Sequence, residues 1–462
     1  MTVLSKVCEV SLGLASLALV ASTPGWADDN LRINGFLTAG VTGSDMKSMP
    51  TCPSTGYSGA MRPSSNCTVV TSPTNPLQYT PYYDHIGGTP SWSQDGILGL
   101  QTDYTIDSRS SVTAQLVSYG TQDYQVEDAW AYATFKPTSN VQLRMGRQRI
   151  PFYMLSEQLD VGMSYPWARP PVEMYANPVN TYDGISGKYS WMLGDVSGDF
   201  GFIAGDAPAT HNSPYIPLGF DIKNVRGFNF NVYTGNFTFH GGVNAGNVNL
   251  NLADDQTPGK MFYNLNQLLT TVGNPGISDQ LATFYNLGMI YDDGSLLVMS
   301  EVADLQYSQG ILQDPFRGYV LLGYHMGDFL PNFTYSTTRT NTAGNSRRSQ
   351  ALGELNNPAN TSTLQSYAAS QYGLSQIGVA NAINASNLAQ QSIANQGMQQ
   401  SSYTLGLRYD ITPKMSAKLE WSYVTGLGSN SGGFGGGGWG MFSDAPLNGH
   451  ADIYTFVINA MF

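Results

Sequence analysis

The chain has 462 residues, and only 12% are Asp, Glu, Lys or Arg, against the ~25% usual in soluble domains. Its formal net charge of −12 would repel nucleic-acid phosphate, and 51 glycines with 12% aromatic residues do not fit a charge-rich disordered chain. No apolar run beyond the N-terminus approaches the ~18 residues that a membrane helix needs, and the five histidines are scattered without metal-ligand spacing.

Residues 1–27 read as a signal peptide. Lys6 supplies a positive start, residues 11–21 a short apolar core, and Gly25 and Ala27 small residues at −3 and −1 of a cleavage site. Export follows, with residues 28–462 as the mature chain. Cys8 falls in the signal, so Cys52 and Cys67 remain, in a Pro/Ser/Gly-rich stretch. In an exported protein this pair reads as a disulfide. It would close a loop of roughly 15 residues and contribute ~3 kcal/mol.

Period-2 alternation then recurs along the chain. Leu31, Ile33, Gly35, Leu37 and Ala39 alternate with Arg32, Asn34 and Thr38. Leu281, Tyr285, Leu287, Met289 and Tyr291 share one face, and Asn286 and Gly288 the other. Tyr403, Leu405, Leu407 and Tyr409 alternate with polar residues up to the turn at 412–414. The clearest case follows, where Met415, Ala417, Leu419, Trp421 and Tyr423 oppose Ser416, Lys418, Glu420 and Ser422. Such alternation marks strands with one wet and one dry face.

Sixteen segments qualify: 30–41, 95–106, 110–120, 126–136, 140–150, 182–192, 199–205, 224–234, 237–248, 279–291, 295–307, 315–326, 332–340, 401–411, 415–426 and 450–462. Short gaps alternate with long ones at 42–94, 151–181, 249–278, 341–400 and 427–449. Tight turns on one side and long loops on the other, with aromatics at segment ends, describe an all-β antiparallel transmembrane barrel. Sixteen strands is the expected count, and eighteen the competing one. Residues 341–400, rich in Asn, Gln, Ser and Ala, read as an outer loop carrying a helix around 361–391. The run 432–438 formally contains GxGxxG but lacks a following helical pattern, so it reads as loop.

No HExxH, P-loop, GxSxG or CxxC motif is present, and no enzyme activity, cofactor or metal is expected. The informative stretch is 140–183. A strand bearing Arg144, Arg147 and Arg149 runs into a loop with Glu157, Asp160, Arg169 and Glu173. Pro151, Pro166, Pro170, Pro171 and Pro178 stiffen that loop, and Phe152, Tyr153, Tyr165 and Trp167 make it a packing element. Inside a barrel the surface available for packing is the lumen wall. Acids on such a loop facing wall arginines would form a charged constriction. Arg147 and Arg149 share parity with Val141, Leu143 and Met145, which would aim them at lipid at roughly 2–4 kcal/mol each near the midplane. A bulge at Gly146 is the expected remedy.

Here the chain resembles the trimeric sixteen-stranded porins of the Gram-negative outer membrane. LRINGFLTAGV is similar to the first porin strand, MGRQR to the segment before the third loop, and TYDGISGKYSW to the strand that leaves it. The terminal strand, with Tyr454, Phe456, Ile458 and Phe462 on one parity, is similar to the family's assembly signal. The loops 42–94 and 341–400 and the PWARPP run depart from a general porin and imply a specialised branch.

The resemblance implies passive diffusion of ions and small hydrophilic solutes through a homotrimer in the bacterial outer membrane, placed there by the assembly machinery. Arg32, Arg144, Arg147, Arg149 and Lys188 are the expected basic side of the constriction, and Glu157, Asp160 and Glu173 the acidic side. A subunit contact is expected at 126–135, where Ala129, Ala131, Ala133 and Phe135 alternate with Trp130 and Tyr132. The alternatives are a receptor or adhesion barrel plugged by 341–400, and a barrel-borne enzyme.

Overall fold

The structure is a computed structural model that describes residues 30–45, 90–122, 124–175, 179–207, 218–252, 270, 273–274, 279–310, 314–355, 357, 359, 399–426 and 450–462. The signal peptide, Cys52, Cys67, the helix expected at 361–391 and the glycine run at 432–438 lie outside the described residues.

Sixteen strands are present among the described residues: β1 (Leu31–Ser44), β2 (Ile97–Thr105), β3 (Ser110–Tyr119), β4 (Val126–Phe135), β5 (Val141–Arg149), β6 (Thr181–Leu193), β7 (Val196–Ala207), β8 (Leu218–Thr234), β9 (Phe237–Leu252), β10 (Gln280–Asp292), β11 (Leu296–Tyr307), β12 (Pro315–Tyr324), β13 (Phe329–Thr340), β14 (Gln399–Thr412), β15 (Met415–Thr425) and β16 (His450–Met461). Each pairs antiparallel with its sequence neighbours, and β1 pairs with β16 to close the barrel. The closure is sealed at the chain end, where the Gly35 and Phe462 backbones exchange hydrogen bonds of 2.8 and 3.0 Å. β7, β8 and β13 run past the segments that the sequence pattern indicates, as do β1, β6, β9 and β14. Gly198, Gly201 and Gly205 in β7 interrupt the alternation without interrupting the ladder to β6, while the ladder to β8 shifts register after Gly205.

The faces are inverted relative to a soluble protein. Leu116, Phe202, Phe228, Leu287, Leu322, Leu405, Leu419 and Phe456 are exposed, whereas Thr113, Gln115, Asn286, Glu301, Thr334, Ser402, Lys418 and Thr455 are buried. Exposed apolar exteriors with polar interiors suit a hydrocarbon layer outside and water or protein inside. Aromatic pairs ring the short-turn side, among them Phe329–Tyr409 and Phe237–Tyr291, with centroids 4.7 and 4.8 Å apart.

The short turns are locally encoded. Gly194, Gly235, Gly294 and Gly327 adopt positive φ, the conformation that a tight turn demands and glycine tolerates best. Asp107 and Asp293 accept turn N–H groups, and these bonds, led by Arg109 and Leu296 respectively, hold both carboxyls below their ordinary range. On the long-loop side, a helix (Thr342–Leu355) lies within the segment 341–400, and its Arg347 pairs with the buried Asp314 at 2.5 Å.

The irregularity expected at Gly146 is elsewhere. β5 keeps an unbroken register with both β4 and β6, so Arg147 shares the outward face of Met145, Ala131 and Ala133. Gly146 has φ +130°, and a Cβ there would lie 2.2 Å from the Ala131 carbonyl, which explains the glycine by close approach rather than by an inserted residue. The extra residue is Ala129. Gln115 pairs with Trp130 and Leu116 with Asp128, so Ala129 bulges out of the ladder and is buried beside Phe36 and Val117. The expected face of four small and apolar residues therefore reduces to Ala131, Ala133 and Phe135. The same bulge moves Asp128 to the outward face, within 2.7 Å of Arg147.

Candidate functional site

Among the described residues, the segment between β5 and β6 is extensively bonded outside the ladder. Its ends are tied together, Ile150 N–H donating to Asn180 O at 2.8 Å. Between them the described residues form short helical turns at Ser156–Gln158, Gly162–Ser164 and Val172–Tyr175. Tyr153, Leu155, Tyr165, Trp167, Met174 and Tyr175 are buried in one cluster with Phe284, Met299, Tyr319 and Leu321 of β10, β11 and β12. Trp167 is packed edge-on against Tyr319, centroids 5.3 Å apart, and its indole N–H donates to Thr334 of β13 at 2.8 Å.

Wall side chains bond the segment's backbone directly. The Lys418 ammonium donates to the carbonyls of Gly162, Tyr165 and Trp167 and lies 4.7 Å from the Tyr165 ring centroid. Arg408 donates to the carbonyls of Met163 and Tyr165 at 3.0 and 3.1 Å. Glu420 accepts from Ala168 N–H at 2.6 Å, and Glu301 from Met154 N–H at 2.7 Å and the Tyr175 hydroxyl at 2.6 Å. Arg317 donates to the Tyr153 hydroxyl and the Met174 carbonyl. Arg169 points the other way, forking onto Asp95 at 2.7 Å and reaching Thr42 of β1 and Thr455 of β16. Burial pushes the Tyr153, Tyr165 and Tyr175 phenols up and keeps them neutral; Tyr165 and Tyr175 donate, to Leu159 O and Glu301, while Tyr153 accepts from Arg317.

Against this frame the expected charge pairs separate. Arg144 meets Glu157 at 3.1 Å, stacks 4.9 Å from the Tyr132 ring centroid, and leaves Glu157 61% exposed. Arg149 pairs with Asp160, both buried, and the Tyr119 hydroxyl adds a bond to Asp160 at 3.1 Å. Glu173 does not face a wall arginine. It is buried and accepts from Gln400 and Ser336 at 2.6 and 2.8 Å and from Ser402. Lys188 is exposed on the inward parity of Ser186, opposite Gln142. Arg32 sits at the short-turn end of β1, opposite Asp103. Arg147 is on the exterior, bound by Asp128 at 2.7 Å and Asp183 at 2.8 Å. It is therefore removed from the set of lumen residues, because its strand runs straight through Gly146.

The residues that hold the segment, Lys418, Glu420, Glu301, Arg408 and Arg317, were not singled out by sequence. Lys418 and Glu420 do stand on the polar face of the clearest alternating run, and Arg408 on that of the run before it, which was the available signal.

No known protein-family profile matches the chain, and no curated protein matches it. Solved structures do. OmpF of Salmonella typhi, solved with daunomycin, is 9% identical with a TM-score of 0.51, covering 94% of this chain and 97% of its own. OprB of Pseudomonas putida is 9% identical with a TM-score of 0.51, covering 94% of this chain and 95% of its own. An anion-selective porin of Comamonas acidovorans aligns over 94% of this chain and 99% of its own at 9% identity and TM-score 0.46. The chain has the sixteen-stranded porin fold. On that porin barrel, β13 lies eight strands round from β5, so the bonds from the segment 150–180 to β11 through β16 and β1 span half the circumference.

Proposed function

We propose that the protein is an outer-membrane diffusion channel for ions and small hydrophilic solutes, narrowed by the segment 151–181 lying across its lumen. The observation that carries this reading is the reach of the segment. Rooted between β5 and β6, it bonds inward-facing residues as far round as Thr334, Glu420 and Thr455. A barrel of sixteen strands is wide enough to leave an aqueous channel, and an element laid across it sets the passage.

The inner wall at β2 and β3 is polar and hydrogen-bonded. Thr113 and Gln101 donate to Asp103 at 2.7 and 2.9 Å, and Gln115 donates to Gln101 at 3.0 Å. Arg144 and Glu157 stand over this wall as the charged pair that a permeant ion meets. Arg149, Asp160 and Glu173 are satisfied within the protein, so this pair governs selectivity, with Lys188 and Arg32 as lesser, more peripheral charges.

The chain works as a homotrimer in this reading. Across β3 to β6 the exterior carries Ala114, Ala131 and Ala133 with the Asp128–Arg147–Asp183 cluster, beside the exposed Leu116, Phe135, Leu143 and Met145. Alanines give lipid little contact, and three charges fit poorly in hydrocarbon, so a second copy is the better cover. Residues 1–27 would be cleaved on export, and the exposed Tyr454, Phe456, Ile458 and Phe462 would be read by the assembly machinery. Planar-bilayer recording tests the function. Stepwise ohmic conductance in KCl is expected, and a folded, inserted protein that gives no steps would instead be a plugged barrel.

A further inference from the structure

A cavity of about 70 Å³ remains where the segment 150–180 leaves and rejoins the wall. Ile150 and Phe152 line it at one end of the segment and Val179 at the other, with Val248, Ala282 and Phe284 from β9 and β10 behind them. Phe152 and Phe284 meet edge-on with centroids 4.8 Å apart. Asn244, Tyr307 and Arg317 form its polar border, and two of them bond the segment. Arg317 donates to the Tyr153 hydroxyl at 2.9 Å, and Asn244 donates to the Pro151 carbonyl at 3.3 Å.

Close-packed interiors leave few voids larger than one water, which occupies roughly 10–15 Å³ of such space. This cavity is several times that size, and its walls are mainly apolar. Water would find partners at the polar border, where Asn244 Oδ1 has none within the protein, while along the apolar walls an uncharged guest would recover the dispersion contacts that those walls lack. We propose that the cavity is a binding site for a small uncharged apolar molecule, or for the short alkyl end of a larger one. The guest would touch both ends of the segment at once. Occupancy therefore steadies Ile150, Phe152 and Val179 against β9 and β10, whatever passes through the lumen. The inference is independent of channel activity, since the site is defined by packing alone.

Xenon, an uncharged polarisable atom, is the probe. Crystals of the full chain pressurised with xenon should show one anomalous peak between Phe152, Val248 and Ala282. Ala282→Leu places a side chain in that space and should abolish the peak. Heat-modifiable gel mobility verifies the barrel of the variant, and Val248→Leu serves instead if Ala282→Leu does not assemble. A wild-type crystal without the peak, or a filled variant that keeps it, overturns the site. Amide exchange at Ile150 and Phe152, whose N–H groups donate to Asn180 and Ile150 carbonyls, should slow severalfold in xenon-saturated buffer for the wild type only. Equal exchange with and without xenon in the wild type would overturn the coupling to the segment.

Discussion

Lys418 is the strongest single attachment of the segment to the wall, and Lys418→Met removes its charge while keeping its length. The ammonium makes three bonds to backbone carbonyls, and its stem is buried against the segment. Bonds to a charged group contribute about 1.5–3 kcal/mol each, so three would total several kcal/mol. Two effects reduce that figure. A buried lysine carries a desolvation cost that methionine avoids, and Arg408 still serves the Tyr165 carbonyl. A net loss of about 2–4 kcal/mol is the result, confined to residues 162–168 because the β14–β15 and β15–β16 ladders do not involve the side chain. At about 1.4 kcal/mol per factor of ten, local opening should rise roughly 30- to 1,000-fold. Hydrogen exchange with mass spectrometry on a peptide covering 160–170 would read this directly, with strand peptides from β15 as the internal control. In single-channel traces the same variant should show added open-state current noise. Exchange in 160–170 indistinguishable from wild type would refute the idea that Lys418 holds the segment.

Selectivity should follow the exposed pair. Arg144→Gln should shift reversal potentials in a KCl gradient toward cations and Glu157→Gln toward anions, whereas Arg147→Gln should leave them unchanged; a shift from Arg147 would place it in the lumen after all. The exterior cluster should instead govern assembly. Ala131→Trp, or Arg147→Gln, which leaves Asp128 and Asp183 facing each other without their cation, should lower the melting temperature of the oligomer on native gels by several degrees, and an unchanged trimer would count against that face. Mass spectrometry of unreduced peptides should find Cys52 joined to Cys67, and two free thiols would dismiss the bond. Deleting 156–175 should raise single-channel conductance, and equal steps would show that the segment lies clear of the passage.

The strands and their faces were legible because both are local. Alternation at period two reports which side chain meets lipid, and Asp-Gly and Gly turns report where the chain reverses. Even the exterior position of Arg147 was written in the parity it shares with Leu143 and Met145, and only an assumed bulge obscured it. The real bulge, at Ala129, has no comparable local signature. It is created by the pairing of Gln115 with Trp130 and Leu116 with Asp128, and its consequence is to bring Asp128 beside Arg147.

The site divides the same way. Sequence alone pointed to a transmembrane barrel, with sixteen strands expected and eighteen competing, a proline-stiffened aromatic segment after the fifth, and a set of charges around it; the structure settled the count at sixteen. Only the tertiary structure decided which charges meet. Glu173 ends among Gln400, Ser402 and Ser336, Asp160 on Arg149, and Lys418 on the carbonyls of 162–167, at separations of up to 256 residues. Alternation records only which face a side chain occupies. Barrel closure then brings together inward-facing groups from strands far apart in the chain, and their pairing depends on which of those groups the segment 150–180 reaches.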